Sequence, residues 1–545
     1  MRGLAAHRIG HYLLLLAVGS ALVFPYLGAP SLWDFDEGVN AECAREMAET
    51  GTWIVPLFNW ELRTSKPVFL YWAMRGSYSC FGVTEFAARL PSAIAFLGIL
   101  LVTYELGRRM FDAATGLLAG IIAASTLELL KLGHAGTPDA ILILFLMLYC
   151  WGFWWGHQSG GRGWYLPCGI ASGLAMLVKG PVGLVFPATI VGAYFLWHGE
   201  FRRMFDRRMI GGIAVWILVA IPWYALVTAE TRGEWTKAFF LKDNLRRSTE
   251  PMENHRGPVV YYLGMIAIFL APWSSFLAVA LAKSWVRGRV PGLEARAIRF
   301  LLIWVAVFLG VFSIFATKLP HYIAPLYPML ALLIANTLVR WARGEFALPV
   351  WAKVNAVVGF ALTGAVVSGA MLIAGGTVDT GAVRIFPGLG DWAWIGLFPL
   401  VGIGAFLRYA KRGRRDRAIA ALAVSAVLFA GTLAAYPPLI VDRSKAVKVL
   451  VAESGARDLH REARVASYGY PHPSATFYVG RRVEYLQSPE EAARFLAMPH
   501  PSYLFVTAPT WERWVAPLVN PPYRIAARRY DFFRNCEALV VTNDR

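Results

Sequence analysis

Residues Ser31–Trp72 read SLWDFDEGVNAECAREMAETGTWIVPLFNWELRTSKPVFLYW. An apolar stretch precedes them and mostly apolar chain follows, so this is the first long polar interruption in the sequence. It carries Asp34, Asp36 and Glu37, then Arg45, Arg63 and Lys66. Runs of about 20 apolar residues recur on both sides of such breaks, which is the signature of membrane-crossing helices rather than of a barrel. Carboxylates beside cations at a membrane surface suit acid–base work on an anionic substrate.

Composition supports the same class. Of 545 residues, 57% are hydrophobic and only 16% charged, with a mean hydropathy of +0.48. Soluble chains carry about 25% charged residues, so an integral membrane protein is expected. The net charge of +18 is no sign of nucleic acid, because the basic residues gather in short loops between spans, where they orient the chain. They also suit membrane lipids with anionic headgroups. The five cysteines, at 43, 80, 150, 168 and 536, show no CxxC or Cys/His metal spacing. A bridge between Cys43 and Cys80 in the first loop is conceivable but not expected. The N-terminus, MRGLAAHRIGHYLLLLAVGSALVFPYL, is similar to a signal peptide but lacks a small-residue cleavage site, and reads as a retained first span.

Arg2 and Arg8 before the first span, roughly 11–29, place the N-terminus in the cytoplasm. Basic clusters at Arg108–Arg109, HGEFRRMFDRR, Lys283–Arg299, Arg340–Arg343 and RYAKRGRRDR then fall on the same side. About thirteen spans follow, with the C-terminus outside. Two long outer loops are expected, 30–87 and 229–258, and the segment Gly38–Glu49 of the first has helical periodicity suited to the interface plane. From Asp442 the composition changes. RVASYGY, ATFYV, RVEYL, SYLFVTA and EALVVTN read as strands and SPEEAARFLAM as an amphipathic helix. The expected organisation is a membrane domain over 1–441 and a soluble α/β domain over 442–545 on the outer face. No internal repeat is present.

On this topology the unusual polar residues collect outside: Asp34, Asp36, Glu37, Arg63, Lys66, His134, Asp139, Lys179, Arg246, Arg247, His255, Arg256, Lys318, His321 and Tyr322. Each has a plainer reading. Asp36 and Asp139 could cap the helices that follow them. A lysine at a span end usually reaches to the headgroups, and a lone loop histidine such as His255 is more often hydrogen-bonded than a metal ligand. Three lysines at one face, each next to Pro, Gly or Leu-Pro, fit a phosphate site better.

The first loop resembles that of the bacterial lipid A aminoarabinose transferases, members of the GT-C superfamily together with the protein O-mannosyltransferases. The resemblance continues through the turn at Asp139, the VKGP ending at Pro181, NLRRSTEPMENHRGPVVYY and TKLPHYIAPLYP. It implies a mainly α, polytopic GT-C fold and inverting transfer at the outer face of a bacterial inner membrane. The donor is a sugar on polyprenyl phosphate, and the acceptor an envelope lipid or glycan. By the same resemblance Asp36 and Asp139 are catalytic. Glu37, Lys66, Lys179, Arg247, His255, Arg256, Lys318 and Tyr322 bind donor phosphate or acceptor.

Two departures stand out. Ser65 replaces a glutamate that joins the His255 position in a metal site, so one carboxylate ligand is gone and no metal is expected. Val39-Asn40 replaces an Arg-Tyr pair, which points to a different sugar, acceptor or both. Protein O-glycosylation is the nearest alternative. A lipid-linked-sugar transporter would place its ionisable residues near mid-membrane, unlike this chain.

Overall fold

The computed structural model describes residues 2–159, 163–246, 257–378, 381, 386–457, 462–520 and 522–544. Side-chain caps start a few of its helices. Thr84 accepts from the Ala87 amide to open α4 (Glu85–Met110), and Asp112 accepts from Thr115 to open α5 (Ala113–Ala124). α1 (Arg2–Val23) and α4 flank the first loop. Within that loop lie α2 (Glu37–Glu49), the hairpin β1 (Leu57–Phe58) and β2 (Glu61–Leu62), and α3 (Phe69–Phe81). Asn59 and Trp60, at φ 55° and 65°, make the hairpin's two-residue turn.

Among the described residues eight single helices are long and apolar enough to cross a membrane, and ten if each of two bent pairs counts as one span. Helix Pro320–Ala342 is the centre of the bundle, with 94% of its apolar window buried, against 22% for Arg207–Glu230 and Val350–Ala374. On Arg207–Glu230 the exposed residues Ile210, Ile213, Ile217 and Ile221 form one stripe, an apolar face suited to lipid. Two expected straight spans are broken instead. The one ending at Lys131 bends by 66° between α5 and α6 (Leu127–Gly133). The one after Tyr261 bends by 113° at a break that contains Pro272, which has no amide hydrogen to continue a helix. Trp273 Nε1 donates to Ser125 Oγ at 2.9 Å and ties the two breaks together.

The basic loops do meet at one end of the bundle. Arg343 pairs with Asp112, Arg296 with Glu200, Arg340 with Glu294 and Arg287 with Glu345. The first loop and the C-terminal segment occupy the other end.

That segment forms a five-stranded sheet of order β4-β3-β5-β7-β6: β3 (Arg464–Tyr468), β4 (Val483–Leu486), β5 (Ser502–Thr507), β6 (Arg524–Asp531) and β7 (Cys536–Thr542). β3 runs parallel to β4 and β5, while β7 is antiparallel to β5 and β6. All six β5 residues are buried, because the sheet has two covered faces. Val465, Tyr503, Phe505 and Val540 continue the core of the bundle. Leu504, Val506, Leu539 and Val541 pack on helix Pro489–Leu496 and Trp511.

Three expectations need correction. ATFYV is not a strand but most of helix Pro473–Val479, which Pro473 starts and Gly480, at φ 71°, ends. β6 is an additional edge strand, mostly exposed and bulged between Ile525 and Ala527. Finally, α2 does not lie on a membrane surface, since every residue from Glu37 to Met47 is buried. It is wedged between α3 and helix Pro473–Val479. Gly38 makes this possible: a Cβ there would stand 2.7 Å from the Ser474 nitrogen. Cys43 and Cys80 are unpaired, one buried and one exposed.

Burying α2 brings Glu42, Arg45 and Glu46 inside. Glu42 holds Arg45 through both oxygens at 2.7 Å. Glu46 accepts from the Trp60 amide at 3.0 Å through Oε2, and burial, with the Glu42 carboxylate beside it, pushes its pKa up to about 7. A carboxyl raised in the folded state binds extra protons there, so stability falls as pH rises from the ordinary carboxylate range to about 7. Glu46→Gln keeps the acceptor and removes the charge. The variant is expected to melt above wild type at pH 8, with the difference vanishing by about pH 5. Thermal unfolding in detergent across that range checks it, and a pH-independent difference would contradict it.

Candidate active site

At the loop-bearing end a cavity of about 850 Å³ opens between the first loop, α7 (Asp139–Ser159), α8 (Tyr165–Lys179) and helix Leu293–Ile314. Five residues expected from sequence line it: Asp36, Lys66, Asp139, Lys179 and Tyr322. Asp36 occupies the N-cap position of α2, yet its carboxylate makes no capping bond. The capping explanation for this residue therefore falls. Asp139 is the first residue of α7 and takes a direct hydrogen bond from Lys179 Nζ. Lys179 lies 5.5 Å above the Tyr322 ring. Lys66 and His321 line the same cavity as Asp139.

Two expected site residues are elsewhere. Glu37 sits behind the cavity wall, 4% exposed. Arg89 donates to both its oxygens at 2.9 and 2.8 Å, and the Gly136 and Trp33 amides add bonds of 2.6 and 2.7 Å. Burial alone would raise the Glu37 pKa, but the guanidinium and the two amides outweigh it and hold the carboxyl below its ordinary value. Lys318 is also buried. Its Nζ donates to the carbonyls of Ser313 and Phe315 at 2.7 and 2.8 Å, satisfying the end of helix Leu293–Ile314. Arg247, His255 and Arg256 lie outside the described residues.

The cavity also gathers Arg63, Lys242, Asp243 and His321. Lys242 and Asp243 belong to the second long loop, where a charge beside a polar neighbour gives no sign of its direction. Phe308, Phe312 and Phe315 supply an apolar wall. The site is thus a polar, cation-rich pocket backed by aromatic rings at the membrane end of the bundle, suited to a ligand with a phosphate head and a lipid tail.

The fold of the whole chain matches that of the crystal structure of ArnT from Cupriavidus metallidurans bound to undecaprenyl phosphate. The TM-score is 0.81, with 98% of each chain covered and 23% identity. The fold is GT-C. A second GT-C structure, the oligosaccharyltransferase AglB of Archaeoglobus fulgidus, matches with a TM-score of 0.54 at 11% identity, over 92% of this chain and 69% of that one.

Sequence comparisons agree with the GT-C assignment. The family model for dolichyl-phosphate-mannose-protein mannosyltransferases matches residues 65–225. The undecaprenyl phosphate-alpha-4-amino-4-deoxy-L-arabinose arabinosyl transferase of Erwinia tasmaniensis is 30% identical over 358 residues, 64% of this chain and 63% of that protein. Its counterpart in Pseudomonas paraeruginosa is 30% identical over 337 residues, 61% and 60% of the two chains. The chain therefore spans a little under two thirds of these relatives' length.

Proposed function

We propose that this protein is a membrane glycosyltransferase. It moves a sugar from a polyprenyl-phosphate donor to an envelope lipid or glycan acceptor of the lipid A kind, with inversion. The observation that supports this reading is the pooling of an uncapped Asp36 with Lys66, Lys179, Arg63 and Lys242 in one cavity of a GT-C bundle. In the reaction an acceptor hydroxyl oxygen bonds to the anomeric carbon of the sugar and gives its proton to Asp36. The bond from that carbon to the phosphate oxygen breaks, and its electron pair leaves with the polyprenyl phosphate. The fixed cations stabilise the charge that develops on that leaving oxygen. Where the acceptor is itself a phosphate, Asp36 positions it and takes no proton. The Phe308–Phe312–Phe315 wall accommodates the first part of the prenyl chain. The bundle sits in a bacterial inner membrane with the basic loops in the cytoplasm. The cavity and the C-terminal sheet then face the periplasm.

No step is assigned to a metal, because Ser65, a neutral hydroxyl, lines the cavity where the resembling family carries a carboxylate ligand. The other ligand position, His255, lies outside the described residues.

Lys179→Met is expected to weaken binding of undecaprenyl phosphate about 10- to 100-fold, the worth of one charge-assisted hydrogen bond. Titration of the protein in lipid nanodiscs checks this, and an unchanged affinity would remove Lys179 from the phosphate site. The reaction itself is tested by mass spectrometry of envelope lipids from wild-type, deletion and Asp36→Asn cells. A lipid that loses one sugar mass in both mutants supports the proposal and names the sugar. A sugar lost from a protein instead, the reading favoured by the mannosyltransferase family match, would move the acceptor from lipid to protein. No change in any glycoconjugate would overturn both.

A further inference from the structure

The motif WDFDE holds three carboxylates in four residues, and the structure uses them differently. Asp34 faces away from the cavity into the C-terminal segment. Its Oδ1 accepts from the Ser474 amide at 2.9 Å and its Oδ2 lies 3.0 Å from His472 Nδ1. His472 is 1% exposed. Its other nitrogen is 4.0 Å from Asp531, which in turn accepts from the Tyr470 hydroxyl at 2.6 Å. Glu37 is fixed from the opposite side by Arg89 and the Gly136 amide. Between these two anchors the backbone turns through Phe35 at φ 70°, a left-handed conformation that an aromatic residue adopts only under constraint. Asp36 follows directly and faces the cavity, whose wall includes Pro473, the residue after His472.

Resting on the proposed role of Asp36, we infer that the C-terminal segment aims this residue. His472 is a positioning residue acting through Asp34, with Asp531 lying 4.0 Å behind its other nitrogen. The strain at Phe35 is the local sign of this device. Freed of the Asp34 anchor, the turn relaxes and the Asp36 carboxylate swings away from the acceptor. The chemistry then slows while the donor phosphate site, built on α7 and α8, is untouched. This gives a role in turnover to a segment that shares no span with the cavity.

Two substitutions at one position separate positioning from simple loss of packing. In His472→Asn the side-chain N–H lies where Nδ1 was and still reaches Asp34. In His472→Gln the amide reaches instead to where Nε2 was, toward Asp531. Both purified full-length variants, with wild type and Asp36→Asn, are assayed for sugar transfer from a polyprenyl-phosphate donor. The Gln variant is expected to lose kcat about 10- to 100-fold, the scale of an ångström-sized misplacement, with donor KM unchanged. The Asn variant is expected to recover most of that loss. Equal kcat for the Asn and Gln variants, or a loss carried by donor KM, would overturn the inference. Full activity of Asp36→Asn would instead overturn the role of Asp36 on which it rests.

Discussion

Arg89→Met is expected to be the most destabilising single change in the chain, costing about 3–5 kcal/mol or preventing folding outright. Arg89 is 5% exposed and spends all of its donors inside the protein. Besides Glu37, it donates to the carbonyls of Leu27, Pro30 and Ser31 at 2.9, 2.8 and 3.0 Å. It thus ties the start of the first loop to α4. Methionine fills the volume but leaves a buried carboxylate without its counter-charge and three carbonyls without a donor. The pH dependence has a definite sign. In wild type the depressed Glu37 carboxyl contributes stability that is full above the ordinary carboxylate range and lost only as pH falls through its lowered value. Stability from this pair is therefore flat between pH 8 and 5. In the variant Glu37 has lost the group that held it ionised, so its carboxyl rises and protonation relieves the penalty. The deficit against wild type should shrink as pH falls from 7 to 5. Thermal unfolding in detergent shows either result. A variant that melts within a degree of wild type would mean that the pair is not what holds the loop.

The second large effect is on activity. Asp36→Asn preserves shape and hydrogen-bonding capacity but cannot take a proton, and turnover is expected to fall about 10²- to 10⁴-fold for a hydroxyl acceptor. Because the carboxylate makes no cap for α2, the same change should leave stability almost unaltered. The two variants are thus expected to divide the motif, with Glu37, through Arg89, carrying the fold and Asp36 the chemistry.

How much of this could be read from sequence depends on the physics of each feature. The bundle was legible because burial in lipid needs long apolar runs, and the basic loops did converge at one end. In the C-terminal segment β3, β4, β5, β7 and helix Pro489–Leu496 followed their local patterns. ATFYV misled because aromatic and β-branched residues favour strands, while Pro473 and Gly480 impose a helix that is buried on every side. β6 was hidden by its polarity, having only Ala527 and Asp531 buried. α2 was misplaced because its charges looked solvent-facing, whereas Glu42 and Arg45 satisfy one another in the core. At the cavity, residue type and loop position were enough for Asp36, Lys66, Asp139, Lys179 and Tyr322. They were not enough for Glu37 and Lys318. A charged residue at a span end can point into a site or back to its own helix, and only tertiary packing decides which. The role of Asp34 was invisible for the same reason, since its partners lie about 440 positions away.

The most direct test of the central claim is a transfer assay with purified protein in nanodiscs. It would use as donor the polyprenyl-phosphate-linked sugar, and as acceptor the envelope lipid, that the mass-spectrometric comparison identifies, with undecaprenyl phosphate affinity measured on the same samples. The expected result is sugar transfer by wild type and a loss of at least about 10²-fold in Asp36→Asn, which no longer deprotonates a hydroxyl acceptor or positions a phosphate one, with undecaprenyl phosphate bound as tightly as before. Transfer at the wild-type rate by Asp36→Asn would contradict the account.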